Sequence, residues 1–237
     1  MNLASATKAL ESIDPAALEP YREYFEKITP RDETEIFRRG LFCHASVHVN
    51  WAANVNLFSL LWDLSWLESK EDLRQRILES RAGLVNGRTE SIWEFRQKYW
   101  ADPGWYAKRD DELWTQYRDR IQARTRGLGR AKSGFFAELT RPNDTRTICG
   151  DTHFLAHFQL KGNSSPGLRV YDYAESHWVS ECARLGIPPC AARWYLWDRK
   201  QGKLDSTYWA YCLEGGQPEL VSPRQLELFT WKETLIA

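Results

Sequence analysis

Apolar residues recur at intervals of three and four along most of the chain, and runs that alternate with period two are few, so the pattern predicts helices. Residues 5–28 read as helical, with a break at Pro15 and a stop at Pro30, and Asp32–Arg39 begins a second helix. Residues 45–67 (ASVHVNWAANVNLFSLLWDLSWL) read as one long helix. Its apolar positions are too dense for a surface helix, so it is expected to be central. Ser69 is expected to cap a helix over Lys70–Ser80, with Glu71 and Asp72 in the first turn, where the helix dipole favours acids. Gly83 and Gly87 mark a turn, Glu90–Tyr99 is helical, and Asp102-Pro103-Gly104 breaks it. Asp110–Arg126 is an amphipathic helix, joined by Gly127-Leu128-Gly129 to another over Arg130–Thr140. Pro142-Asn143-Asp144 is a loop, Asp151 opens a helix through Gln159, and Lys161–Leu168 is a polar loop. Residues 172–185 and 190–200 are helical, split by Gly186-Ile187-Pro188-Pro189. Ser206–Leu213 adds a helix, and Pro223 opens a short one in the tail 217–237. The sum is an all-α protein of roughly ten short helices, with no βαβ alternation.

With 237 residues the chain is long enough for one or two domains. Lys+Arg and Asp+Glu stand at 32 each, whereas a nonspecific polyanion binder is usually basic overall. A nucleic-acid partner therefore requires local positive charge. Residues 118–132 supply it: Arg118, Arg120, Arg124, Arg126, Arg130 and Lys132 face one acid, Asp119. The same run also suits an ordinary solvated helix face. No apolar run approaches the ~18 residues of a membrane span, and the N-terminus lacks an apolar signal core, so a cytoplasmic location is expected. Five widely spread cysteines fit reduced thiols. Twelve tryptophans are unusual. Trp51, Trp62, Trp66, Trp93, Trp100, Trp105 and Trp114 fall mostly at helical spacing, which favours core over a base-stacking surface. His153 and His157 stand four apart, and Cys43, His44 and His48 are further potential ligands. No four-ligand spacing appears, so packing histidines are expected rather than a metal site.

Gly-Leu-Gly between two helices lets the backbone approach a partner closely. The helix that follows begins with Arg130 and Lys132, so its free N–H groups, its dipole and two cations converge on a phosphate-sized site. Alone, Gly-x-Gly is equally a plain turn. Some twenty residues on stands Ile148-Cys149-Gly150-Asp151-Thr152-His153. Together GLGRAKSGFFAEL and ICGDTHFLAHF resemble the helix-hairpin-helix and Asp-Thr-His segment of the endonuclease III superfamily of DNA glycosylases. The resemblance covers roughly residues 40–200 by helix pattern and 120–158 by recognisable residues. It implies one glycosylase-like domain over 1–237: a lobe at about 40–140 with the hairpin at 127–129, a second of 1–39 plus 141–237, and a DNA cleft between them. Gly127, Leu128, Gly129 and Arg130 would hold a DNA backbone phosphate. Asp151 would be the carboxylate beside a base flipped out of the stack, because stacking hides the reacting atom. Asp151 also suits a simple N-cap.

The departures are informative. Bifunctional glycosylases carry a lysine at the fifth residue from the hairpin's first glycine; here that residue is Ala131, and Lys132 stands one later, which argues against Schiff-base lyase chemistry. Cys182 and Cys190 have no partners at iron–sulfur spacings. Gly-Leu-Gly-Arg-Ala-Lys, Cys-Gly-Asp-Thr-His and Ser46-Val-His-Val-Asn-Trp51 more closely resemble the phage family of α-glutamyl/putrescinyl thymine pyrophosphorylases, which includes amino acid:DNA transferases. That resemblance implies that an amine, from an amino acid such as glycine or a polyamine, displaces pyrophosphate from a 5-pyrophosphorylmethyl-uracil in double-stranded DNA. Asp151 and Lys132 are the implied catalytic pair. Arg126, His48, Asn50, Trp51 and His153 are the implied pyrophosphate and base pocket. Mg²⁺ suits the leaving group's charge without being required. A monomer is expected. A monofunctional glycosylase, with Asp151 stabilising charge at the sugar, and a non-catalytic hairpin module that only binds DNA are the alternatives.

Overall fold

A computed structural model describes residues 1–160 and 167–201, leaving aside the side chains of Trp51 and Gln201. The helices expected over Ser206–Leu213 and after Pro223, and most of the loop expected over Lys161–Leu168, lie outside these residues. The described chain is helical: α1 (Leu3–Glu11), α2 (Glu19–Ile28), α3 (Glu33–Ala45), α4 (Trp51–Leu61), α5 (Lys70–Ser80), α6 (Val85–Ala101), α7 (Trp114–Arg124), α8 (Arg130–Thr140), α9 (Thr152–His157), α10 (Leu168–Leu185) and α11 (Pro189–Gln201), with short 3₁₀ turns between some of them. The all-α expectation holds.

Local chemistry sets most boundaries. Ser69 accepts from the Asp72 amide and caps α5 as expected, while Asp32 accepts from the Glu35 amide and caps α3, which therefore begins at Glu33. Gly83 lies in a turn at φ +69°, but Gly87 sits inside α6. The single long helix expected over 45–67 does not form. Helix α3 ends at Ala45 and α4 starts afresh at Trp51. Between them His48 adopts φ +50°, and Asn50 caps α4 by accepting from the Ala53 amide. An uninterrupted apolar pattern carried no sign of this corner, because both helices it joins are buried.

The chain divides into two compact units. Among the described residues, unit 1 comprises 1–30, 108–122, 129–160 and 167–201, and unit 2 comprises 31–107 and 123–128. The core of unit 2 is aromatic: Phe37 stacks on Phe95 at 5.2 Å, and Tyr99, Tyr106 and Trp66 are buried around them. Unit 1 buries Phe25 against Trp194 at 5.0 Å and Phe154 against Trp178 at 5.2 Å. Of the tryptophans before the hairpin, only Trp66 is fully core; Trp62, Trp93, Trp105 and Trp114 are half-buried, Trp100 is exposed and the Trp51 side chain lies outside the described residues, while Trp178 and Trp194 are core. Among the described residues no helix is long and apolar enough to cross a membrane.

Candidate functional site

Asp151 lies in unit 1 at the start of α9, and its Oδ1 accepts from the Phe154 amide at 2.9 Å. The N-cap is thus real. A carboxylate has two oxygens, and Oδ2 carries no hydrogen bond among the described residues, so the cap orients the group without consuming it. The side chain is half-buried.

The three residues before it are buried, and each amide is held by a different side chain. The Ile148 amide donates to Glu175 Oε1 at 3.0 Å, the Cys149 amide to Glu138 Oε1 at 3.0 Å, and the Gly150 amide to the Tyr171 hydroxyl at 2.9 Å. The Tyr171 hydroxyl in turn donates to the Ile148 carbonyl at 2.9 Å. Two glycines make this possible by proximity. A Cβ on Gly150 would stand 2.1 Å from the Tyr171 ring, and one on Gly134 of α8 would stand 2.2 Å from the Ile148 carbonyl oxygen.

Both clamping glutamates are charge-paired. Glu138 is fully buried and takes Arg193 Nε at 2.7 Å and Nη2 at 2.5 Å. Burial works against the Arg193 charge, but the Glu138 carboxylate offsets it and holds the guanidinium above its ordinary pKa. Glu175 pairs with Arg118, which is 1% exposed and also reaches Asp119 and Asp172. The basic run of 118–132 is therefore largely committed inside the protein. Arg120 makes a double contact with Glu112 at 2.6 and 2.7 Å, Arg124 lies over the Trp105 ring at 4.4 Å, and Arg130 faces Asp119 and Asp172. Arg126 remains 60% exposed, with a loose 3.8 Å approach to Glu94.

Lys132 is half-buried, without an ion pair among the described residues, and its field reaches the Cys149 thiol together with those of Asp151 and Arg193. Burial pushes that thiol up to about 12, so Cys149 is an inert core residue. His153 Nδ1 stands 2.9 Å from Lys200 Nζ, and Trp197 packs edge-on to its ring at 4.2 Å. Burial lowers the His153 pKa; Asp151 opposes the shift, and Lys200 and Arg193 reinforce it. A neutral imidazole that accepts from Lys200 at Nδ1 carries its proton on Nε2. Sequence reading missed Arg193, Trp197 and Lys200. Their spacing of four and three on α11 was the available signal: it puts them on one helical face.

Unit 2 holds the remaining candidates. Gly127 has φ +87°, a left-handed value that suits glycine, and a Cβ there would stand 2.9 Å from Ser91. Leu128 is 3% exposed and anchors the hairpin through its amide, which donates to Thr125 O at 3.2 Å. Gly129, in unit 1, is the N-cap of α8 and offers no side chain, so the first amides of α8 have no side-chain cap. In unit 2 Arg88 is 4% exposed and fans onto the carbonyls of His44, Ala45 and Val47 at 2.7, 3.3 and 2.8 Å. It thereby closes the end of α3 and fixes the Ser46–Trp51 corner. His48 is exposed there and Asn50 is the α4 cap. The Trp51 side chain is outside the described residues. His44 is buried, and neither ring nitrogen has a hydrogen-bond partner among the described residues. Burial, then the Arg88 charge, lowers its pKa to about 3. It borders a cavity of about 480 Å³ lined also by Val47, Leu84, Arg88, Ser91 and Arg126. Among the described residues no three His, Cys, Asp or Glu side chains are grouped to hold a metal.

The sequence-derived candidates thus fall in both units: Asp151, Lys132, Arg130, Gly129 and His153 in unit 1, and Arg126, Gly127, Leu128, His48, Asn50 and Trp51 in unit 2. No family model matches the chain, and no curated protein matches it. Solved structures do. The 8-oxoguanine DNA glycosylase of Thermotoga maritima is similar with a TM-score of 0.65 at 20% identity, covering 86% of this chain and 99% of that one. The 8-oxoguanine DNA glycosylase of Methanocaldococcus jannaschii gives 0.65 at 13% identity, with 85% and 94% covered. The M. jannaschii 8-oxoguanine glycosylase/lyase in complex with DNA containing 8-oxoguanine gives 0.64 at 14% identity, with 85% and 98% covered. At such identities the likeness is one of architecture: the chain has the all-helical fold of the helix-hairpin-helix DNA glycosylases.

Proposed function

We propose that this protein binds DNA through the Gly127–Arg130 hairpin and modifies a flipped-out base as an amine transferase. The substrate is a uracil carrying a 5-pyrophosphorylmethyl group. The lone pair of a primary amine attacks the methylene carbon, and the C–O bond to pyrophosphate breaks. Asp151 takes the proton lost by the nitrogen, and pyrophosphate leaves with the electron pair. The observation that carries this reading is the charge around Asp151. Lys132 has no carboxylate partner among the described residues, Lys200 stands on His153, and both lie in the unit that holds Asp151. One half-buried carboxylate accompanied by two lysines without a carboxylate partner among the described residues suits a substrate that develops negative charge on departure. Ala131 at the position of the lyase lysine removes the amine that would open the sugar.

The test is incubation with duplex DNA carrying the activated base and with candidate amines. Pyrophosphate release and a gain in base mass are the expected results; absence of both refutes the reading. A monofunctional glycosylase is the second reading, favoured by the fold shared with the 8-oxoguanine glycosylases, one of them in complex with DNA. There Asp151 would stabilise positive charge at the sugar carbon, and alkali-labile abasic sites would be the product.

A further inference from the structure

A reactive carboxylate needs a fixed backbone behind it, and the way Asp151 is fixed is unusual. Its three preceding amides are held by side chains rather than by a helix or sheet. Two of the three holders are glutamates with arginine partners, Glu175 with Arg118 and Glu138 with Arg193. The third, Tyr171, holds the amide nearest to Asp151, that of Gly150, and of the three it alone both accepts and donates through one atom. Its hydroxyl accepts from the Gly150 amide and donates to the Ile148 carbonyl, both at 2.9 Å. That closes a ring over residues 148–150. The ring lies against Gly150 so closely that any Cβ there would overlap it. Tyr171 is 4% exposed, and burial raises its pKa, so the hydroxyl keeps its proton at working pH.

We propose that Tyr171 is a positioning residue for the base-modifying chemistry: by tying Ile148 and Gly150 together it sets the direction in which Asp151 presents its free oxygen. This rests on the assignment of Asp151 as the reactive group. The constraint explains the glycine of Cys-Gly-Asp by geometry, since no other residue leaves room for the Tyr171 hydroxyl.

The test compares full-length Tyr171→Phe with Tyr99→Phe. Tyr99 also donates a hydroxyl to a backbone carbonyl, that of Glu33 at 2.6 Å, but in unit 2. Tyr171→Phe is expected to lower single-turnover rate at least tenfold on duplex DNA bearing 5-pyrophosphorylmethyl-uracil with glycine as amine. Its dissociation constant for that DNA should stay within twofold. Exchange of the Phe154 amide, which reports the Asp151 cap, should accelerate at least tenfold. Tyr99→Phe should lower the melting temperature yet leave rate and Phe154 exchange unchanged. Gly150→Ala, which pushes the hydroxyl away from the other side, should reproduce the Tyr171→Phe pattern. Wild-type exchange at Phe154 in Tyr171→Phe overturns the proposal, as do losses equal to those of Tyr99→Phe. Should the unaltered protein be inert on that DNA, the Phe154 exchange decides alone. Full turnover by Asp151→Asn sinks the assignment of Asp151; an inactive Asp151→Asn beside an unimpaired Tyr171→Phe sinks the proposal only.

Discussion

Two buried arginines show how differently the two units treat a charge. Arg193 in unit 1 is 8% exposed and bound to the Glu138 carboxylate. Arg88 in unit 2 is 4% exposed and bound to main-chain carbonyls. Burial is opposed by a counter-ion in the first case and lowers the pKa unopposed in the second. Carbonyl dipoles solvate a cation but do not neutralise it. Unit 1 thus builds a charge-balanced frame under Asp151. Unit 2 places the buried Arg88 charge beside the His44 cavity, which Arg126 and Gly127 of the hairpin also line. A fixed backbone can therefore come from either arrangement, a carboxylate counter-ion in unit 1 or a fan of carbonyl dipoles in unit 2.

The largest expected effect breaks the balanced side. Glu138→Ala leaves Arg193 buried without its counter-ion and frees the Cys149 amide, so urea unfolding should show a loss of about 3–5 kcal/mol. Glu138→Gln keeps the shape and one acceptor oxygen but removes the charge, so it should cost nearly as much as Glu138→Ala; a loss close to zero would mean that charge pairing with Arg193 is not what holds this segment. Asp151→Asn should then lower turnover by roughly 100-fold with DNA affinity nearly unchanged, measured by single-turnover kinetics beside a binding titration. If binding falls in step with rate, Asp151 serves the complex and not the reaction.

His44 sharpens the unbalanced side. Unfolded, it titrates at its ordinary 6.5; folded, it titrates at about 3. Between those values the unfolded chain takes up a proton that the folded chain refuses. Its contribution to stability is therefore full above pH 6.5 and drains as pH falls toward 3, by about 1.4 kcal/mol per pH unit. Denaturant melts from pH 7 to 4 should show that slope in the natural protein and a shallower one in His44→Phe. An unchanged slope would assign the acid sensitivity to other groups. The smallest effect concerns Arg126, the exposed cation of the hairpin run. Arg126→Ala should reduce the salt dependence of DNA binding by about one unit of slope and leave folding unaltered. No change in slope would remove Arg126 from the DNA surface.

Helix capping was legible because it is local. Asp32, Ser69 and Asp151 each act within three residues of themselves. The hairpin was legible for the same reason, since the left-handed backbone at Gly127 announces itself as glycine. The Ser46–Trp51 corner was not, because it depends on Arg88, some forty residues away. The basic run from Arg118 to Lys132 read as a surface patch, but Arg118 and Arg130 are committed to acids on α7 and α10. Net sequence charge does not reveal which cations fold back on distant carboxylates.

By itself the sequence determined the helical class, most helix starts, the hairpin and the isolated Asp151 motif, because each follows from periodicity or from hydrogen bonds that span one turn. Only the tertiary structure decided what surrounds Asp151. Glu138, Tyr171, Glu175, Arg193 and Lys200 lie up to about fifty residues from it, on α8, α10 and α11. Their convergence comes from the burial of large apolar faces such as those of Phe154, Trp178 and Trp194, and burial carries no record in local sequence of which polar groups it brings together.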